Sequence, residues 1–146
     1  MGLLSLIKNM VAGSLPVPGE TIADHVPGSP ELYSKCLSVL LASDVQQFIT
    51  VSEHEGDACI QVAKGGDLLS LNIASYPFAE DPAAKLAELD IALPPGSTMQ
   101  TWEAECFCQY GVPVSAIEEL STAIDAVFRK MHGKTDGYTV SVHMEN

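Results

Sequence analysis

The sequence predicts an α+β protein built on a single, mainly antiparallel sheet of about five strands, with helices packed on one face. Two observations predict this class. Short segments with alternating apolar and polar residues follow one another closely between residues 45 and 75, and segments with apolar residues at helical spacing stand before and after them. Runs of strands and helices, rather than strict alternation, are typical of α+β folds. The predicted order of elements is α-α-β-β-β-α-β-α-β.

Residues 1–28 are predicted to form an N-terminal apolar helix and a connection, and residues 29–146 a single globular domain. Apolar residues recur at helical spacing over the first twelve positions, at Leu3, Leu6, Ile7 and Met10. So few of these positions are polar that the helix must bury most of its circumference, on its own chain or on a second copy. Residues 13–30 are rich in proline and glycine, which indicates a long irregular connection.

The domain begins with a helix and three strands. Ser29 supplies a capping hydroxyl, Pro30 suits the first helical turn, and Glu31 favours the positive end of the helix dipole. Three strands then follow in quick succession, over residues 45–52, 58–63 and 68–75. Each of them alternates apolar and polar residues, so we expect the sheet to bury one face and expose the other to water.

Two more helices and the last strand complete the domain. One helix is predicted over residues 83–92, after an Asp-Pro pair that favours a helix start. Ser115 and Glu118 have the spacing of a capping box and predict the start of the next helix, which Gly133 ends. Alternating residues then predict a strand over 138–144.

The Cys106-Phe107-Cys108 segment resembles a metal-binding or redox motif, but its surroundings indicate that the cysteines pack in the core. Residues 98–110 alternate as one strand, which places Cys106 and Cys108 beside Trp102 on the apolar face. A free cysteine behaves as a small hydrophobe and is often buried. We therefore expect both thiols in the core and Phe107 on the opposite face.

Composition excludes several classes of function. The chain has 146 residues, 47% of them apolar, as a folded domain requires. Nineteen acidic and seven basic residues give a net charge of −12, so no basic patch is available for nucleic acid or for an anionic membrane. No segment fits a targeting signal or a membrane span. Four scattered cysteines indicate reduced thiols, and we expect a cytoplasmic protein.

No catalytic, cofactor-binding or metal-binding residues are predicted. Cys-x-Cys is a poor zinc spacing, and the other possible ligands lie on separate predicted elements. His54 lies in an acidic turn that could support weak metal or proton binding, but charged turns are explained by exposure. His25 and Asp24 could form an acid–base pair, although no third group supports it. His143 lies on the polar face of the last strand.

The remaining feature is surplus apolar surface. Phe48 and Phe107 both fall on the otherwise polar side of their strands, where exposed aromatic residues mark interaction surfaces. A covering by the N-terminal helix or the long connection would explain them equally. We expect a non-enzymatic protein that acts through protein–protein interaction as an adaptor, a chaperone-like protein or an inhibitor-like protein.

This function implies a homodimer and, in a narrower form, a basic protein partner that the acidic surface attracts. The predicted interaction residues are Phe48, Phe107, Leu3, Leu6, Ile7 and Met10. The alternative is a small enzyme or ligand-binding domain with a pocket between the sheet and the helices, using His25, Asp24 or His143.

Overall fold

A computed structural model describes residues 20–54, 56, 58–74, 81–103 and 106–145. Within these residues the chain forms one seven-stranded sheet, in which every pair of neighbouring strands is antiparallel. The strands are β1 (Glu20–Pro27), β2 (Phe48–Glu53), β3 (Cys59–Gly65), β4 (Leu68–Ala74), β5 (Thr98–Glu103), β6 (Phe107–Pro113) and β7 (Thr139–Glu145). The helices are α1 (Pro30–Ala42), α2 (Pro82–Glu88) and α3 (Ile117–Ala126), and a π-helical turn, Val127–Met131, extends α3.

The order of strands in the sheet is β1-β7-β2-β3-β4-β6-β5. β2, β3 and β4 form a meander at its centre, and β5 and β6 form a hairpin that continues it through β6. β7 comes last in the chain but lies between β1 and β2. The first and last described strands therefore meet at one side of the sheet, and their side chains can share a site there.

The prediction of about five strands in the order α-α-β-β-β-α-β-α-β is wrong, and β1 is the first reason. Its residues were assigned to the irregular connection, yet they pair with β7 along the sheet edge. The pairing shifts register twice, between Thr21 and Ala23 and between Ala23 and Val26. Bulges break the alternation of side chains between faces. The period of two that reveals a strand is therefore missing from this segment.

The second reason is the β5–β6 hairpin, which was predicted as one strand. No glycine or proline marks its turn, and Trp102 pairs with Cys108, so alternation continues through the bend. Cys108 is fully buried as expected, but Cys106 lies exposed in the turn and Trp102 is 37% exposed. The prediction that Cys106 packs in the core beside a buried Trp102 is therefore wrong.

The helices and the sheet enclose one core. Ser29 caps α1 by accepting a hydrogen bond from the Leu32 backbone N–H at 3.1 Å, as its position predicts. The capping box predicted for α3 is wrong, because Ala116 precedes that helix and no side chain caps it. Apolar residues from α1, α3 and alternate positions of the central strands form one buried cluster, including Leu37, Leu40, Ile60, Leu71, Leu120, Ile124 and Val142.

The core leaves the opposite side of the sheet without a helix among the described residues. In β2 the buried positions are Ile49, Val51 and Glu53, and the half-buried positions between them point the other way. The predicted N-terminal helix, with Leu3, Leu6, Ile7 and Met10, lies outside the described residues. No helix in the described part of the chain is long and apolar enough to cross a membrane.

Candidate functional site

The candidate site lies on the side of the sheet that faces away from α1 and α3, which we call the open face. The pairing of the strands shows which residues lie on the open face, because residues paired across antiparallel strands point to the same side of the sheet. On the strands β2, β3, β4 and β6 the open-face positions are uncharged: Phe48, Thr50, Ser52, Cys59, Gln61, Ala63, Leu68, Ser70, Asn72, Phe107, Gln109 and Pro113, with glycines at 65 and 111. The flanking strands carry charge, because Glu145 of β7 pairs with Phe48 and Glu103 of β5 pairs with Phe107 on the same face. The open face therefore has an uncharged centre between two carboxylates, in a chain whose net charge is −12.

Amide and hydroxyl groups bond to one another across the open face. Gln61 Nε2 donates to Thr50 Oγ1 at 3.2 Å. Gln100, at the irregular pairing of β5 with β6, accepts from Gln109 Nε2 at 2.7 Å and from Ser70 Oγ at 3.2 Å. These cross-strand hydrogen bonds hold the long glutamine side chains against the sheet. The open face is therefore nearly flat and has few freely rotating side chains.

Phe48 and Phe107 both lie on the open face and are half-buried, as the sequence places them. They do not form one patch. Phe107 lies three strands away from Phe48 and four residues further along the strand direction. With strands about 4.8 Å apart and about 3.4 Å per residue, the two rings are roughly 20 Å apart. The two rings therefore stand near opposite corners of the central strands, with small and polar side chains between them.

A second feature occupies the corner where β1, β7 and β2 meet. Asp24 and His25 lie within the second bulge of β1, and His54 follows the last residue of β2. Ser141 projects from β7 between them. We call Asp24, His25, His54 and Ser141 the histidine cluster. Folding thus brings together an acid, two imidazoles and a hydroxyl from three separate segments.

Ser141 is the hub of the histidine cluster and is 96% buried, with a relative exposure of 4%. Its Oγ lies 2.7 Å from Asp24 Oδ1 and 2.6 Å from His54 Nε2, and it accepts from the His25 backbone N–H at 3.3 Å. An ionised carboxylate only accepts hydrogen bonds, so the hydroxyl proton goes to Asp24. The oxygen must then accept from His54, which places that proton on Nε2 and leaves Nδ1 with a lone pair.

This pattern differs from that of a serine nucleophile. In a catalytic triad the imidazole accepts the serine proton and the carboxylate orients the imidazole. Here the carboxylate of Asp24 takes the serine proton directly, and His54 donates to the same oxygen. The hydroxyl is therefore held as an orienting group and is not activated for attack.

The charge of Asp24 is stabilised in this setting. The hydrogen bond from Ser141 lowers the pKa of the Asp24 carboxyl most, and burial opposes that effect. His25, His54 and His143 lower the same pKa further through their charge. The Asp24 carboxylate therefore stays ionised beside the imidazoles of His25, His54 and His143.

The two imidazoles of the histidine cluster contact each other face to face. The ring centroids of His25 and His54 are 3.4 Å apart and the planes differ by 20°. His25 has a φ of 52°, in the left-handed region, which costs about 1 kcal/mol or more for a residue with a side chain. Non-glycine residues in that region concentrate at sites where the surrounding structure fixes them. Here the bulge in β1 turns the His25 ring onto His54.

His143 borders the histidine cluster on β7. Its Nδ1 lies 2.8 Å from Thr21 Oγ1 on the paired residue of β1. In the sequence, His25, His54 and His143 lie far apart, and no third group is predicted for the Asp24–His25 pair. The structure supplies that group as His54 with Ser141. The missing signal was the bulge in β1, which only pairing with β7 makes visible.

The thiols do not add a reactive group to this site. Burial raises the pKa of Cys36 and of Cys108 to about 12, so both remain protonated thiols that pack in the core. Cys59, on the open face beside Ser52, also has its pKa raised by burial. A thiolate nucleophile would need the opposite shift.

A shallow groove of about 360 Å³ lies between the N-terminal ends of α1 and α3. It is lined by Pro30, Glu31, Ser34, Lys35, Glu118, Ser121 and Thr122. None of these residues is a histidine, and the groove lies among helices on the side opposite the open face. It does not contain the residues that the alternative of a small enzyme would use.

No protein-family model matches this chain, and no curated protein or solved structure matches it either.

Proposed function

We propose that the protein works through protein–protein interaction and that its open face binds a second copy of the chain, forming a homodimer. One observation carries this proposal: the central strands present a face without charge in a chain of net charge −12. Charged residues are depleted at the centres of protein interfaces, because burying an unpaired charge is costly.

The dimensions of the open face suit an interface of ordinary size. Seven strands spaced about 4.8 Å apart make a sheet roughly 29 Å wide, and strands of about seven residues are roughly 24 Å long. The resulting face of roughly 700 Å² is close to the approximately 800 Å² that each partner buries in a standard interface, with the charged outer strands β1, β7 and β5 as its rim. Two such faces can pack as aligned or orthogonal sheets.

The charge of the open face favours a second copy over a basic partner. Two acidic copies repel each other wherever their carboxylates approach, and the uncharged centre of the open face limits that cost to its border, where Glu103 and Glu145 lie. A basic protein would find few acidic groups opposite its lysines and arginines on this face. A basic partner, if the protein has one, would bind to the acidic surfaces elsewhere.

Phe48 and Phe107 supply the apolar contacts in this dimer. Aromatic residues that are partly exposed on the free subunit often carry a large share of the binding energy. A two-fold axis that lies in the interface plane, perpendicular to the line between the two rings, would place Phe48 of one copy opposite Phe107 of the other. The predicted contribution of Leu3, Leu6, Ile7 and Met10 remains part of the proposal and is tested separately.

Aspartate substitutions at the two rings test the open face. In Phe107→Asp and Phe48→Asp, we expect light scattering to give the 15.5 kDa mass of the single chain where the wild type gives twice that mass. Ser38→Asp is the matched control, because Ser38 is exposed on α1 on the other side of the sheet. A Phe107→Asp protein with a native circular dichroism spectrum and an unchanged dimer mass would contradict the proposal.

The N-terminal residues are tested in the full chain by Leu6→Ser with Ile7→Ser. A loss of the dimer in this variant and not in the two aspartate variants would assign the interface to residues 1–12 and reject the open face.

The proposed setting is the cytoplasm. Its support is that Cys36, Cys59, Cys106 and Cys108 are all free thiols. Ligand binding is the second candidate function, and the histidine cluster is the observation that favours it.

A further inference from the structure

We propose that Asp24, His25 and His54 bind a divalent first-row transition-metal ion, with Zn²⁺ as the reference ion. One oxygen of Asp24 and one ring nitrogen of each histidine all lie within 4.8 Å of one another. The three side chains are exposed, so an ion can reach them from solvent. This inference does not require the proposed dimer, since all three ligands come from one chain.

The distance between Asp24 and His25 requires only a small closure. Zinc binds imidazole nitrogen and carboxylate oxygen at about 2.0–2.2 Å, which places tetrahedral ligand atoms roughly 3.3 Å apart. Asp24 Oδ1 lies 4.0 Å from His25 Nε2, so these two atoms must approach each other by less than an ångström. The rings of His25 and His54 must also tilt out of their stack for both lone pairs to converge. Exposed side chains can make both movements without repacking the core.

The types of donor select the class of ion. Two imidazoles and one carboxylate are the ligands of many zinc sites and of several other first-row metal sites. Calcium and magnesium prefer sites made entirely of oxygen atoms. A site built on His25 and His54 therefore discriminates in favour of zinc and its neighbours over Mg²⁺ and Ca²⁺.

The hydrogen bonds of Ser141 prepare two of the ligands. Metal-binding histidines usually donate their other ring N–H to a fixed acceptor, which sets the tautomer and the direction of the ring. His54 Nε2 donates to Ser141 Oγ at 2.6 Å, so Nδ1 is its free ligand atom. Ser141 also bonds to Asp24 Oδ1 at 2.7 Å and keeps the carboxylate at the same place. Ser141 is thus a positioning residue for both.

The charge beside the two rings also favours a cation. The carboxylate of Asp24 places negative charge next to the stacked rings of His25 and His54, and this charge attracts a metal ion. Three protein ligands leave the fourth tetrahedral position to a water molecule.

Isothermal titration calorimetry of the full-length protein with zinc chloride tests the site. We expect one Zn²⁺ per chain for the wild type and no comparable heat with magnesium chloride. Asp24→Asn and His54→Gln keep the size of each side chain and are expected to weaken zinc binding at least about tenfold. Ser141→Ala is expected to weaken it by roughly 10- to 100-fold, as loss of an orienting group does elsewhere.

Two controls separate this site from other zinc ligands in the chain. Asp67→Asn repeats the substitution in the turn between β3 and β4, and Cys106→Ser removes the exposed thiol. Both should bind zinc like the wild type. In NMR spectra of the wild type, zinc should shift the imidazole signals of His25 and His54 and leave those of His132 unchanged. Because this NMR measurement uses the wild type, it tests the site even if a variant fails to fold.

The proposal is overturned if the wild type takes up no stoichiometric zinc. It is also overturned if folded Asp24→Asn and His54→Gln proteins bind zinc as tightly as the wild type. Loss of binding in Cys106→Ser, with the His25 and His54 signals unmoved by zinc, would place the metal at a thiol site and reject the assignment equally.

Discussion

Two tyrosine hydroxyls and a carboxylate form a short chain of hydrogen bonds where α1 meets β7. Tyr138 donates to Asp125 Oδ1 at 2.7 Å, so Tyr33 must donate to Tyr138, with the two oxygens 2.6 Å apart. Arg129 Nε donates to the same carboxylate at 3.0 and 3.1 Å. Burial raises the pKa of both tyrosines, which keeps their protons in place as donors.

The direction of these bonds predicts unequal effects for two similar substitutions. Tyr33→Phe removes the terminal donor and leaves the Tyr138–Asp125 bond intact, so it should lower the free energy of unfolding by about 1 kcal/mol. Tyr138→Phe leaves the buried Tyr33 hydroxyl without its acceptor and takes one donor from Asp125. It should cost about 2–3 kcal/mol. Urea unfolding followed by circular dichroism measures both; equal losses would mean that the order of donors is wrong.

At the scale of single residues, the sequence predicts the face on which Phe48 and Phe107 lie, but it does not predict the histidine cluster. Phe48 and Phe107 stand out because alternation on their own strands shows which way they point. Asp24, His25 and His54 are brought together by the pairing of β1 with β7 and of β7 with β2. That contact depends on which strands are neighbours, and no local pattern records it.

At the level of elements, what could be predicted depended on the regularity of the pattern. α1 has a capping residue and a proline in its first turn, and it begins where the sequence predicts. β2 to β4 alternate without interruption and were likewise found. β1 contains two bulges, so its strand pattern is absent from the sequence. The turn between β5 and β6 lacks glycine and proline, so the two strands are predicted as one.

One buried ion pair joins the end of β2 to the segment that leads into β7. Lys134 Nζ lies 3.1 Å from Glu53 Oε1, and the Glu53 side chain is only 1% exposed. Glu53 Oε2 is buried and accepts no hydrogen bond within the described part of the chain. Lys134 is the cation that pairs with this carboxylate, so losing it would remove the ion pair from a buried charge.

Lys134→Met should therefore lower the free energy of unfolding by about 3 kcal/mol. The matched control is Lys85→Met on α2, whose partner Glu88 is 70% exposed at 3.7 Å. An exposed pair of this kind contributes about 0–1 kcal/mol. Adding Glu53→Gln to Lys134→Met should recover part of the loss, since it removes the unpaired charge. Chemical denaturation measures all three proteins, and equal losses in the two lysine variants would refute the role given to Glu53.

Across the whole molecule, charge is distributed unevenly between surfaces. The net charge of −12 is carried outside the central strands of the open face, where uncharged side chains meet. This distribution predicts a distinctive response to salt. Salt screens the general repulsion between two acidic copies and has little to screen at a neutral interface, so added salt should leave the dimer unchanged or strengthen it. Association with a basic partner would weaken instead.

Sedimentation equilibrium of three proteins at low and high salt tests the open-face dimer most directly. The account predicts a wild-type mass of twice 15.5 kDa. Gln61→Glu with Gln109→Glu should associate at least about tenfold more weakly at low salt and recover partly at high salt, because it places like charges at the centre of the interface. Gln47→Glu, in the exposed loop before β2, is the matched control and should associate like the wild type. A wild type that stays monomeric, or a double glutamate variant that dimerises as tightly as the wild type, would contradict the account.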